Sequence, residues 1–278
     1  MSRSVKIVVD SSADRIKTRS VPLAYAPLKI VTADKIYVDD ATLDVEAMAN
    51  DLYTYKGKSS TSCPNPNDWI SAFGDAEEIY CLTITATLSG SYNAACVAKE
   101  IYESEHQGRR VFVLNTLSTG PEMALLAERI EHLIDQGEPF DSVCQRVSDY
   151  CGTTELLFML KSMKNLANNG RISSLKAFAA GLLGIQAIGR ASEAGDLEML
   201  DKCRGENNSL AAMYSYMKER GYKGGKTRIA HCINERAALR LRDLILAEYP
   251  QADVTVYLSG GLCTFYAEKG GLLVGYEA

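Results

Sequence analysis

The chain has 278 residues, 46% of them hydrophobic, enough to build two α/β domains or one large one. Its net charge of -5 arises from acids and bases mixed along the whole length, and no basic run could neutralise a row of phosphates, which excludes nucleic acid as a partner. The longest apolar stretch, residues 177–188, is interrupted by Gly181, Gly184 and Gln186 and falls short of a membrane span.

Residues 5–9 form a β-rich run around Lys6, too short for the apolar core of a signal peptide and read as a strand. It ends in the polar loop Asp10-Ser11-Ser12-Ala13-Asp14. Residues 23–32 read as a second strand and 36–38 as a short third. Asp44 then caps a helix reaching residue 55, with Val45, Met48, Leu52 and Tyr55 on one face. A strand at 78–83 leads through Thr85-Ala86-Thr87-Leu88-Ser89-Gly90-Ser91 into a helix at 92–104. A strand at 110–114 and helices at 121–136 and 140–151 follow. Such alternation predicts a mainly parallel sheet covered by helices.

The texture changes after Gly152, so the expected division is an N-terminal α/β domain of residues 1–152 and a C-terminal one of residues 153–278. A strand at 156–159 leads to the turn Asn168-Asn169-Gly170-Arg171 and then to an Ala/Gly/Leu-rich helix. Residues 185–189 and 197–202 read as a hairpin joined by Glu193-Ala194-Gly195-Asp196. A helix at 209–220, a strand at 227–233, a helix at 235–247 and a strand at 253–258 complete the reading.

Several enzyme signatures come close and miss. The eight cysteines include no C-x-x-C pair and no Cys/His cluster, so reduced structural thiols and a cytoplasmic location are expected. Gly224-Gly225-Lys226-Thr227 lacks the first glycine of a phosphate loop, since Arg220 stands there, and it precedes a strand instead of following one. Asp10 follows a strand like an aspartyl-phosphate nucleophile, without a second acid two residues on. Ser89 lacks the upstream glycine of a hydrolase elbow. His106, His132 and His231 show no metal-ligand spacing.

What remains is two groups of hydroxyls, Ser59-Ser60-Thr61-Ser62-Cys63-Pro64 and the series Thr83, Thr85, Thr87, Ser89, Ser91. One reading is capping, by Ser62 or Asn65 at a helix over 67–74 and by Ser89 or Ser91 at the helix that starts at Tyr92. The other is a ligand site, because ligands of open α/β sheets bind outside the strands' carboxyl ends and helix N-termini hold anions.

These segments resemble the DegV family of fatty-acid-binding proteins. Asp10-Ser11-Ser12-Ala13-Asp14 is similar to the family's D-S-T-A-D, Thr61-Ser62-Cys63-Pro64 to T-S-Q-P, and Leu88-Ser89-Gly90-Ser91-Tyr92-Asn93 to L-S-G-T-Y-Q. Asn169-Gly170-Arg171-Ile172-Ser173 is similar to G-G-R-I-S, and Arg204-Gly205 to the R-G after the hairpin, all in family order. The resemblance implies two α/β domains with a lipid tunnel between them. It implies a carrier that catalyses nothing by itself and takes no cofactor beyond its bound fatty acid. Thr61, Ser62 and Ser89 then become carboxylate ligands; Thr85, where the family usually has serine, assists, and Arg171 matches an arginine near the pocket mouth. Cys63 departs from the family's glutamine, and alignment on Gly270 puts Tyr266 in place of the histidine of H-T-G-P-G. The tunnel wall is expected from residues 178–188, Leu28 and Ile30. Implied partners are a long-chain fatty acid such as palmitate, a separate fatty acid kinase and, transiently, a membrane surface. The alternatives are a hydrolase or phosphotransferase using Asp10 or Ser89, and a carrier of another amphiphilic acid.

Overall fold

The computed structural model describes residues 4–172 and 184–278. The chain opens with β1 (Val5–Asp10), β2 (Leu23–Ala26), β3 (Lys29–Val31), β4 (Ile36–Val38), α1 (Val45–Thr54), β5 (Ser60–Ser62) and α2 (Pro66–Phe73). Next come β6 (Glu78–Thr83), α3 (Ser91–Glu105), β7 (Arg110–Asn115), α4 (Pro121–Asp135) and α5 (Phe140–Cys151). The rest runs β8 (Thr154–Leu160), α6 (Lys164–Asn168), β9 (Ile185–Ala191), β10 (Leu197–Arg204) and α7 (Glu206–Glu219). It ends on β11 (Thr227–His231), α8 (Glu235–Glu248), β12 (Val254–Leu258), α9 (Gly261–Ala267) and β13 (Leu272–Glu277).

The fold is two α/β domains. The first is built on a parallel sheet in the order β2-β1-β6-β7. Side chains alternate across it: Ile7, Val9, Tyr80 and Leu82 meet Met123, Leu126 and Val143 of α4 and α5. Val8, Ile79 and Cys81 meet Trp69, Phe73 and Tyr102 of α2 and α3. Helices on both faces explain why these strands read as unbroken apolar runs. The second domain has a mixed six-stranded sheet, β10-β9-β8-β13-β11-β12, with Leu157, Met159, Ile229 and Val274 packed under α7 and α8.

Three expectations need correction. Residues 23–32 are two strands, because Pro27 breaks the ladder; β2 joins the parallel sheet, whereas β3 turns into a separate antiparallel sheet, β4-β3-β5. The hydroxyl run at 60–62 is itself a strand, β5, with Thr61 opposite Ile30. Neither α9 nor β13 was foreseen, yet β13 sits in the middle of the mixed sheet, antiparallel to both neighbours. The expected helix after Arg171 falls on residues 173–183, outside those described.

The domains are tied by buried acidic and basic side chains. Asp14 Oδ1 accepts the Gly260 N–H at 2.8 Å, and the two oxygens of Asp39 accept the N–H groups of Gly261 and Leu262, each at 2.8 Å. Elsewhere the Arg228 guanidinium of β11 bonds Glu128 of α4 at 2.6 and 2.7 Å and Asp253 at 2.9 Å. Gly275 lies so close under α4 that a Cβ there would stand 2.4 Å from the Glu122 nitrogen.

Burial pushes the Asp14 carboxyl from its ordinary 3.8 up to about 7. The folded chain therefore holds a proton that the unfolded chain has released. The resulting stability is complete below about pH 4 and is lost as the pH rises to about 7, by at most about 1.4 kcal/mol per pH unit. Asp14→Asn, which cannot ionise, is expected to show a smaller difference between urea midpoints at pH 5 and pH 7.5 than the parent chain. An unchanged difference would refute this origin of the pH dependence.

Candidate functional site

A cavity of about 280 Å³ lies between the two domains, near the lower end of the range for small-molecule sites. Its wall follows from strand periodicity. Along β8, Leu156, Phe158 and Leu160 face the cavity, whereas Leu157 and Met159 point into the core under α7 and α8. Leu273 does the same on β13, and Leu28, Ile84 and Leu88 close the cavity from the first domain. The expected wall residue Ile30 instead packs with Tyr37, Val45, Met48 and Phe265. Ile188 belongs to the core under α7 and α8, and residues 178–183 lie outside those described.

Polar groups gather where β5, α9 and the turns that carry Ser89 and Arg171 meet. Thr61 on β5 and Tyr266 on α9 share a hydrogen bond of 2.7 Å between hydroxyls across the domain interface. One of the two protons makes that bond, which leaves the other for a further acceptor. Ser62 and Cys63 continue from Thr61, both exposed, and the Cys63 thiol stands 3.3 Å from where a Cβ on Gly90 would be. Ser89 Oγ accepts the Ser91 N–H at 3.3 Å, so its own proton stays free to donate. The first turn of α3 thus opens beside the cavity, with Gly90 in its wall. Arg171 reaches the same place, its Nε donating to the Leu88 carbonyl at 3.3 Å and its Nη1 to the Asn169 carbonyl at 2.6 Å.

The structure therefore brings Thr61, Ser62, Ser89, Arg171 and Tyr266 to one cavity. Thr85 does not reach it. Its side chain is buried against Gly195, where a Cβ would come within 2.1 Å of Oγ1, and it bonds the Thr87 hydroxyl at 3.1 Å. Thr87 in turn donates to the Gly195 carbonyl at 2.8 Å, so this pair docks the β9–β10 hairpin. Of the expected caps, Asn65, not Ser62, caps α2 through Asn67 and Asp68, which leaves Ser62 free of that duty, and Gly90, neither Ser89 nor Ser91, is the N-cap of α3.

Asp10 has a different role. It is fully buried and accepts from the Ser12 N–H and hydroxyl, from the Ile84 N–H at 2.9 Å and from the Ser91 hydroxyl at 2.6 Å. Burial raises its pKa, and these donors oppose the rise. With both oxygens occupied it ties β1 to the turn that carries Ser89, an anchor and not a nucleophile. Sequence reasoning missed Asp14, Asp39 and the turn they hold; the one local signal is the Gly260-Gly261 pair.

A cavity between two α/β domains, apolar along its wall and lined by hydroxyls at one end, is the plan of a lipid-binding protein. The family model described as "Uncharacterised protein, DegV family" matches residues 4–278. A DegV domain-containing protein of Streptococcus pneumoniae is 42% identical over 276 residues, which is 98% of each chain. The crystal structure of the S. pneumoniae Fatty Acid Kinase (Fak) B3 protein loaded with linoleic acid superposes with a TM-score of 0.95 at 42% identity, covering 99% of both chains. A DegV family protein of Eubacterium eligens loaded with heptadecanoic acid also gives 0.95, at 40% identity and 99% coverage of both. The chain belongs to the DegV family.

Asp10→Ala is expected to lower stability by about 3 kcal/mol or more in chemical denaturation, since several buried donors lose their acceptor at roughly 1–3 kcal/mol each. A loss below about 1 kcal/mol would show that Asp10 is free for another task.

Proposed function

We propose that this chain is a carrier that holds one long-chain fatty acid between its domains and presents the carboxylate to a separate fatty acid kinase. The observation that carries this reading is the cavity itself. Among the described residues that line it, Leu and Phe side chains form the wall, and the polar contribution comes from hydroxyls, thiols and the cation Arg171. In this reading Thr61, Ser62, Ser89 and Tyr266 bind the head group, and Arg171 supplies positive charge beside it. Thr85 acts only through the turn it braces. The two domains divide after Gly152, in keeping with each large sheet drawing its strands from one side of that point.

Energetics favour the assignment. A palmitate-sized tail has about fourteen methylenes at roughly 0.8 kcal/mol each, on the order of 11 kcal/mol before the costs of association. Tight retention then needs no buried lysine, whose desolvation would be costly. Neutral donors also suit both a carboxylate and the acyl phosphate a kinase would make from it. The fatty-acid-loaded relatives support the ligand class, and the kinase named for the pneumococcal relative supports the partner. Transient contact with a membrane surface, where such a ligand is collected, belongs to the same reading. A cytoplasmic location does too, supported by eight free thiols.

Protein purified from cells, denatured and extracted, is expected to release a long-chain fatty acid in near-stoichiometric amount by mass spectrometry. A chain that extracts empty and takes up no fluorescent fatty acid overturns the reading. Ser62→Ala combined with Ser89→Ala is expected to weaken acid binding at least about tenfold, because hydrogen bonds to a charged group are worth roughly 1.5–3 kcal/mol. The methyl ester should be much less affected. Equal, unchanged affinities for acid and ester would reduce both serines to parts of the turns they occupy.

A further inference from the structure

We propose that Asp39 is a positioning residue for the head-group site, acting through α9 on the Tyr266 hydroxyl. The proposal rests on the carrier reading above and extends it to a residue outside the cavity. The N-cap position of α9 is Gly260, which has no side chain to satisfy the helix's first N–H groups. Asp39 supplies that cap from the other domain, one carboxylate oxygen to Gly261 and the other to Leu262, each at 2.8 Å. It is 4% exposed, so water does not substitute for it.

The approach depends on glycine. A Cβ on Gly261 would stand 2.7 Å from Asp39 Oδ1 and 2.6 Å from Leu43 Cδ2. From the point where Asp39 grips it, α9 runs one turn to Tyr266, whose hydroxyl meets Thr61. The other end of this bridge returns to the same small sheet. Asp39 directly follows β4, Thr61 lies on β5, and both strands pair with β3, where Ile30 is opposite Tyr37 and Thr61. One three-stranded sheet therefore holds both the cap of α9 and the partner of Tyr266. A shift of the cap moves one hydroxyl of the pair relative to the other.

The test is a double-mutant cycle on the full-length chain, freed of lipid and titrated with palmitate and with methyl palmitate. Asp39→Asn keeps one acceptor and turns an amide N–H₂ toward the second backbone N–H. It is expected to weaken palmitate binding at least about tenfold and ester binding less than about threefold. In a Tyr266→Phe background the same change is expected to cost less than about threefold, because the two residues act through one hydroxyl. Gly261→Ala, which forces the carboxylate away without touching Asp39, should reproduce the acid-specific loss and carries the test if Asp39→Asn does not fold. Equal losses for acid and ester, or losses that add in full across the cycle, would make Asp39 an ordinary interdomain contact and overturn the proposal. A parent chain that binds no palmitate removes the carrier reading itself, a distinct result from a parent that binds and an Asp39 variant that discriminates as well as it does.

Discussion

Three backbone N–H groups at the start of a seven-residue helix find their acceptors on the opposite domain, and the rest of the architecture is arranged around that fact. A helix leaves its first N–H groups unpaired, and when its end is buried something must accept from them. Asp14 and Asp39 do so at the expense of their own hydration, which is why burial raises the pKa of both. Neither partner is comfortable without the other. Separating the domains would expose two carboxylates to water but leave α9 without a cap, and closing them on any other register would bury charge against nothing.

Joined in this way, the domains enclose apolar surface that neither could cover alone. β8 has two apolar faces, one packed under α7 and α8 and the other turned toward the first domain. The second face meets Leu28, Ile84 and Leu88 across a gap instead of a packed seam, and that gap is the cavity. The hydroxyls of the cavity come from strand, turn and helix alike: Thr61 and Ser62 from β5, Ser89 from the turn before α3 and Tyr266 from α9. A hydroxyl that accepts from the backbone keeps its own proton for another acceptor. Ser89 accepts a backbone N–H and still has a proton to give.

The sequence made most of this legible where local signals carry it. Strands with uninterrupted apolar runs and the Asp44 cap of α1 fall where periodicity put them, and the motif residues Thr61, Ser62, Ser89, Arg171 and Tyr266 line one cavity. Thr85 misled because a hydroxyl after a strand looks the same whether it faces a ligand or a neighbouring hairpin. β3 was hidden inside an apparent long strand, since Pro27 marks a break without saying which sheet comes next. Asp39 was illegible for a simpler reason: its partners are backbone groups more than two hundred residues away, and a backbone N–H has no letter in the sequence.

The central position of β13 has a consequence for how the protein comes into being. That strand follows every other described element in the chain, yet it lies between β8 and β11 and contributes Leu273 to the cavity wall. During synthesis the first domain's parallel sheet is complete early, and β8 emerges with one edge waiting for a neighbour that has not yet been made. Until β13 is in place, the mixed sheet stays split and the cavity lacks Leu273 on that side. The order of synthesis thus leaves the joining of the mixed sheet's two halves to a strand made after all of its neighbours.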